Sequence, residues 1–208
     1  MKITKYLHSC LLVEENNTVV LIDPGIFTYN AKILDINKLQ KLHCLLITHS
    51  HFDHFHLPLV KELLAKFPQM QIFTNKDVMD ILSKENITAS IQGNDFIEQT
   101  FTQHEKIWGA DVPMNTQFDL FERLSHPGDS LSFEYTKDIL ALPITAPWGS
   151  TTWAIEVAEK LKPRVIIPIH DWQWKDKVRT DMYDRLEEYF KGLEIDFKKP
   201  QDGVMIEV

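Results

Sequence analysis

The chain of 208 residues is 44% hydrophobic and 25% charged, the balance of a folded protein with a full core, which argues against disorder, and its length fits one domain over residues 1–208. A formal charge of −8 at pH 7 argues against binding long polyanions through diffuse electrostatics and leaves only a local basic groove for nucleic acid. No apolar run approaches the roughly 20 residues of a membrane span, and MKITKYLHSC lacks the basic and apolar blocks of a secretory signal, so the sequence reads as cytoplasmic.

In chain order, SCLLVEENNTVVLIDPG predicts two strands joined at Glu15, Asn16 and Asn17, a hairpin closed by Pro24 and Gly25. After a loop through IFTYN, the segment AKILDINKLQKL carries Ile33, Ile36, Leu39 and Leu42 at helical spacing and predicts a helix over 31–42. CLLIT is short and apolar enough to be a buried strand. LPLVKELLAKF starts a helix near Pro58, QIFT is a short strand, and Asn75 caps a helix through KDVMDILSKE. From Phe96 to Phe133 the pattern turns to alternating, aromatic-rich strands separated by GADVPMN and HPGD, as in an antiparallel stretch. The last third returns to β/α order: strand DILAL, a helix from Ser150 to Leu161 ended by Pro163, strand RVIIPI, helix RTDMYDRLEEYFKGL, and strands IDFK and VMIEV. Without a repeat, low-complexity segment or linker, these elements predict a mixed α/β domain. Cys10 and Cys44 adjoin strand-like apolar residues and read as buried thiols rather than a disulfide.

Directly after the apolar run, ITHSHFDHFH concentrates histidines and an aspartate at residues 47–56. If residues 49–53 continue the strand direction, His49, His51 and Asp53 project to one side, because side chains alternate along an extended chain. His54 follows and can be turned by the next helix toward a neighbouring point, so one short loop can serve two adjacent cations. Imidazole and carboxylate ligands suit zinc, whose catalytic sites keep one position open for water.

HxHxDH after a hydrophobic strand resembles the signature of the metallo-β-lactamase fold superfamily. Other parts of the chain are similar to the family's remaining pieces in order: Asp23 in LIDPG, His104 in FTQHEKIWG, Asp129 in HPGDS and His170 in VIIPIHDW. The early HSC, the short length and the LKPRVIIPIHD ending look most like the L-ascorbate-6-phosphate lactonase-like group. The resemblance implies a four-layer αββα sandwich of two mixed β-sheets flanked by helices. It implies His49, His51 and His104 on one metal, Asp53, His54 and His170 on the other, and Asp129 bridging both. Asp23 is expected to fix the ligand loop by hydrogen bonds rather than to bind metal. His8 and His126 are the remaining candidates for contact with substrate or for the leaving-group acid, while His43 and His56 have weaker claims.

The implied cofactor is a pair of divalent cations, zinc first, with manganese or iron as alternatives. The implied chemistry is hydrolysis of a small-molecule ester, lactone or phosphodiester by a metal-bound hydroxide that Asp53 orients. No G-x-S-x-G elbow or Ser-His-Asp order competes for the nucleophile. Trp108, Trp148, Trp172 and Trp174 lie near the candidate ligands in sequence and are candidates to wall a pocket. Three other readings stay open: sulfur oxidation at a single iron, nucleic-acid phosphodiester hydrolysis, and ligand binding without turnover. The acidic chain argues against nucleic acid, a homo-oligomer is left open, and His51 argues against the usual di-iron variant, which carries glutamate there.

Overall fold

Asn16 and Asn17 both have positive φ, 48° and 63°, the geometry of a two-residue hairpin turn that matches the twist of its strands and that Asn tolerates. They join β2 (Leu11–Glu15) to β3 (Thr18–Ile22), with Glu15 opposite Thr18. The computed structural model describes residues 1–109 and 111–208. Before the hairpin comes β1 (Lys2–Lys5), and after it α1 (Ile26–Ala31), β4 (Cys44–Leu46), α2 (Leu57–Lys66), β5 (Gln71–Phe73) and α3 (Lys76–Ser83). The second half holds β6 (Ile97–Thr102), β7 (Asn115–Leu120), β8 (Leu124–His126), β9 (Ile139–Pro143) and α4 (Thr151–Leu161). It closes with β10 (Val165–Ile169), α5 (Asp176–Lys191), β11 (Asp196–Phe197) and β12 (Met205–Glu207). Ala110, within the GADVPMN connection, lies outside the described residues.

The strands form two six-stranded sheets, in the orders β12-β1-β2-β3-β4-β5 and β11-β10-β9-β8-β7-β6. Both are mixed: β3, β4 and β5 run parallel in the first, and β8 to β11 run parallel in the second. Period-two alternation sorts their side chains into layers. Val20 and Ile22 of β3 face Ile139 and Ala141 of β9 in the core between the sheets. Val19 and Leu21 instead pack on α2 and α3 through Leu59, Leu63, Val78 and Leu82. Leu140 and Leu142 pack on α4 and α5 through Ala154, Ala158, Leu186 and Phe190. The result is the expected αββα sandwich. Among the described residues no helix is long and apolar enough to cross a membrane, and Cys10 and Cys44 are buried free thiols.

Local chemistry set most boundaries as expected. The side chains of Asn75 and Ser150 accept from the backbone N–H groups of Val78 and Trp153, capping α3 and α4. The helix expected over 31–42 is a correction: α1 forms earlier, through IFTYN, and Lys32 ends it in the left-handed region at φ 52°. Only a short 3-10 turn, Ile36–Lys38, follows, opened by the Asp35 carboxylate accepting from Asn37 N–H. Asp and Asn compete with helix by such local bonds. The spacing of Ile33, Ile36, Leu39 and Leu42 instead lays an irregular segment on the α2 side of the first sheet. β1 was not anticipated, because KITK holds a single apolar residue; its pairing with β2 and β12 makes it a strand.

Candidate metal centre

Asp23 directly follows β3, and its carboxylate organises the loop after β4. Oδ1 accepts from Thr48 N–H at 2.8 Å, and Oδ2 accepts from Thr48 Oγ1 at 2.7 Å. Gly25 brings the turn after β3 against the same loop so closely that a Cβ there would lie 1.7 Å from the Asp53 carbonyl oxygen. Gly128, at φ +61°, is likewise wedged, with a Cβ position 2.2 Å from Asn115 Oδ1. Asn115 Oδ1 accepts from Asp129 N–H at 3.1 Å. Its amide donates to Thr102 Oγ1 and the Pro127 carbonyl, so buried polar bonds fix where Asp129 begins.

These bonds also select tautomers. Because Thr48 Oγ1 donates to Asp23, its 2.9 Å contact with His49 Nδ1 requires the ring to donate. His54 Nδ1 donates to Asp23 Oδ2 at 2.7 Å, and His104 Nδ1 donates to the Glu105 carbonyl at 2.7 Å. In the neutral form each ring therefore carries its lone pair on Nε2, the form in which imidazole binds a metal.

Two clusters result. His49, His51, His104 and Asp129 offer ligand atoms that all lie within 4.8 Å of one another, and so do His8, His54 and His170. Asp129 stands between them. Its Oδ2 lies 3.5 Å from His104 Nε2 and 3.8 Å from His49 Nε2. Its Oδ1 lies 2.9 Å from His54 Nε2 and 2.7 Å from His170 Nε2. Trp148 Nε1 donates to Oδ2 at 2.9 Å and holds the carboxylate plane.

The electrostatics are those of a site that gathers charge. Burial alone raises the Asp129 carboxyl, but His170, His54 and His49 outweigh it and hold the group well below its ordinary value. Burial lowers the His54 ring, yet Asp129 and Asp23 outweigh that and hold it well above. His49, buried among other imidazoles, is held well below. Burial and the neighbouring His170 lower His8 to about 3, against the pull of Asp53.

Fit to a cation is tested by the buried atoms that no hydrogen bond satisfies, which are few in folded proteins. His49 Nε2, His170 Nε2 and Asp129 Oδ1 are among them, and all three belong to the clusters. Orphaned nitrogen and oxygen acceptors that converge, buried, from both sheets are the donor set of zinc or a similar divalent ion. The residues present fit a metal pair.

Of the candidates from sequence, His49, His51, His54, His104, Asp129 and His170 all come together here. Asp53 sits at the edge, its Oδ2 3.2 Å from His8 Nε2. His8, left open as a proton donor, places Nε2 3.1 Å from His54 Nε2 and holds its backbone at φ +63° while buried, strain of the kind that collects at functional sites. His126 does not join the cluster: Nε2 donates to the Ser9 carbonyl and Nδ1 accepts from Gly128 N–H. Trp148 and Trp172 adjoin the site, Trp174 packs on the α4–α5 core, and Trp108 is exposed. Sequence reasoning missed the Thr48 and Asn115 supports. It also missed Lys5, wholly buried in β1, whose Nζ lies 2.9 Å from the carboxylate of Asp171, next to His170.

Protein Rv0786c of Mycobacterium tuberculosis is 26% identical over 202 residues, covering 90% of this chain and 92% of its own length. A UPF0173 metal-dependent hydrolase of Staphylococcus aureus strain MRSA252 is 26% identical over 201 residues, with coverage of 82% and 85%. Among solved structures, Igni18, a metallo hydrolase of Ignicoccus hospitalis, aligns with a TM-score of 0.71 at 18% identity over 100% of this chain and 98% of its own. A family profile described as the beta-lactamase superfamily domain matches residues 2–170. That span runs from β1 through both clusters to His170, and by it the chain belongs to the beta-lactamase superfamily domain family, with the metallo-β-lactamase fold.

Proposed function

We propose that this metal-dependent hydrolase carries a pair of zinc ions and cleaves a small-molecule ester, lactone or phosphodiester, with residues 1–208 acting as one domain. The observation that carries the reading is Asp129, whose two oxygens face two separate imidazole clusters while His49, His54 and His104 are each anchored through Nδ1. His49, His51 and His104 would hold one ion, and His54 and His170 the other, with His8 and Asp53 beside the second. When bound, such a pair lowers the pKa of a shared water toward ~7 and polarises the oxygen under attack.

The chain's own residues do the rest. Asp129, with one oxygen toward each cluster, would offset the mutual repulsion of two ions, and Trp148 keeps its carboxylate plane fixed. Asp23 holds Thr48 and His54 so that the ligand loop needs no rearrangement on binding. Asp53, partly exposed and held ionised by His8 against the effect of burial, would orient a water at the site by accepting a hydrogen bond from it. The subgroup reading, L-ascorbate-6-phosphate lactonase-like, rests on HSC, the short length and LKPRVIIPIHD, and concerns descent more than substrate.

Elemental analysis of the purified chain at saturating zinc should approach two ions per chain. Lactone, phosphodiester and thioester substrates should be turned over, and a chelator should abolish the rate. A firm plateau at zero metal would remove the reading. Activity confined to iron, oxygen and a thiol would replace it with sulfur oxidation.

A further inference from the structure

Three aromatic side chains from separate segments meet beside His8, His54 and His170. Phe27 lies in α1, Phe52 stands between His51 and Asp53, and Trp172 follows His170 by two positions. Phe27 and Trp172 are stacked, their centroids 4.1 Å apart. Phe52 meets Phe27 edge-on at 5.9 Å. Both Phe27 and Trp172 meet the His8 ring edge-on, at 5.5 Å and 6.2 Å, so the group reaches the metal centre through a single imidazole.

This aromatic group lies toward water. Phe52 is 61% exposed and Trp172 44%. A lone exposed apolar residue needs no explanation, but a contiguous group at a polar site does. His8, His49, His54, His104, Asp129 and His170 are buried, whereas His51 and Asp53 are partly exposed. Solvent therefore meets the clusters at the segment on which Phe52 stands. Among the described residues, no lysine or arginine pairs with Asp53 or Asp129 at that opening; each of their ion pairs is with a histidine.

We propose that Phe27, Phe52 and Trp172 form a platform for a flat, uncharged, aryl-like group of the substrate, which narrows the substrate class to aryl-bearing esters and lactones. The proposal rests on the metal reading above, because the platform earns its meaning from the centre beside it. Stacked and edge-on aromatic contacts stabilise a bound ring without requiring a charge partner, and the His8 ring, packed on His54 and His170, joins the platform to that side of the centre.

Acetohydroxamate and benzohydroxamate carry the same chelating head and differ by a phenyl ring. In calorimetric titrations of the zinc-loaded chain, benzohydroxamate should bind about tenfold more tightly and should change the tryptophan emission. Trp172→Ala and Phe52→Ala should bring the ratio of affinities toward one while leaving acetohydroxamate affinity and zinc content unchanged. Phe52 is mostly exposed, so its variant should fold as the parent does, checked by its thermal melt. Equal affinity of the two compounds for the parent would overturn the platform and leave the metal reading standing. A phenyl preference that persists in both variants would place the ring elsewhere and overturn it too. If neither compound binds and no zinc is retained, the metal reading fails and the platform falls with it.

Discussion

A carboxylate in contact with four imidazole nitrogens has two separable duties, holding ions and holding the fold, and substitution can separate them. Asp129→Asn keeps the shape and the backbone bond to Asn115 but removes the charge and one acceptor oxygen. It should retain a cooperative melt, lose metal affinity, chiefly at the His54–His170 side, and depress hydrolysis by at least ~100-fold, the upper end of effects seen even for supporting residues. Trp148→Phe is the comparison, since it keeps an aromatic ring but removes the N–H donor to Oδ2 and should lose less. Metal content and rates of both variants at one free-zinc concentration decide it; an Asp129→Asn protein that holds two ions as tightly as the parent would remove Asp129 as the bridge. HxHxDH was legible because adjacent ligands on one extended segment leave a local pattern. The place of His8 was not: it depends on a left-handed backbone and on packing against His54 and His170, which come from distant parts of the chain.

At the scale of elements, alternation and caps revealed β2 to β5, α2, α3 and α4, because each is specified by its own residues. β1 and the true position of α1 were hidden, since pairing partners and the competing Asp35 bond decide them. One contact between elements is testable by pH. Glu15, at the end of β2, accepts from Arg123, in the β7–β8 turn, at 2.6 Å, and Arg123 also donates to the Val208 carbonyl. Burial raises the Glu15 carboxyl, but Arg123 and the Met1 ammonium outweigh it and hold the group below its ordinary value. A depressed folded pKa means stabilisation that is complete above the unfolded value of roughly 4.3. It is lost as pH falls through the lowered folded value. The Glu15 side chain is 18% exposed and that of Arg123 33%, so solvent screens the pair and Glu15→Gln should cost at most about 1 kcal/mol at pH 7. The gap between parent and variant should close below about pH 4. Denaturant melts in chelator measure it without interference from bound ions, and a gap that is constant with pH would assign the effect to packing.

Across the whole molecule, each cluster draws on both sheets. His49 and His51 follow β4 of the first sheet and meet His104 and Asp129, which follow β6 and β8 of the second. His8 and His54 come from the first sheet and meet His170, at the end of β10 in the second. Ligands placed at the carboxyl ends of strands in two layers cannot stay together once the layers separate, so ions bound here would be lost on unfolding. The apolar core between the sheets holds the same layers without ions, which predicts a folded metal-free chain that zinc stabilises further, rather than one that folds only with metal. Free zinc at about a hundredfold above Kd adds about 2.7 kcal/mol per site. For a chain of this size each kcal/mol raises Tm by roughly 2–4 °C, so two filled sites should raise it by about 10–20 °C over the chelated protein. Asp129→Asn, measured against its own chelated Tm, should lose at least half of that increment, because its affinity falls chiefly at the His54–His170 side. A Tm indifferent to zinc in the parent would mean that the clusters do not close on ions across the sheets, whereas a chain unfolded in chelator would mean that the core between them is too weak to hold the layers alone.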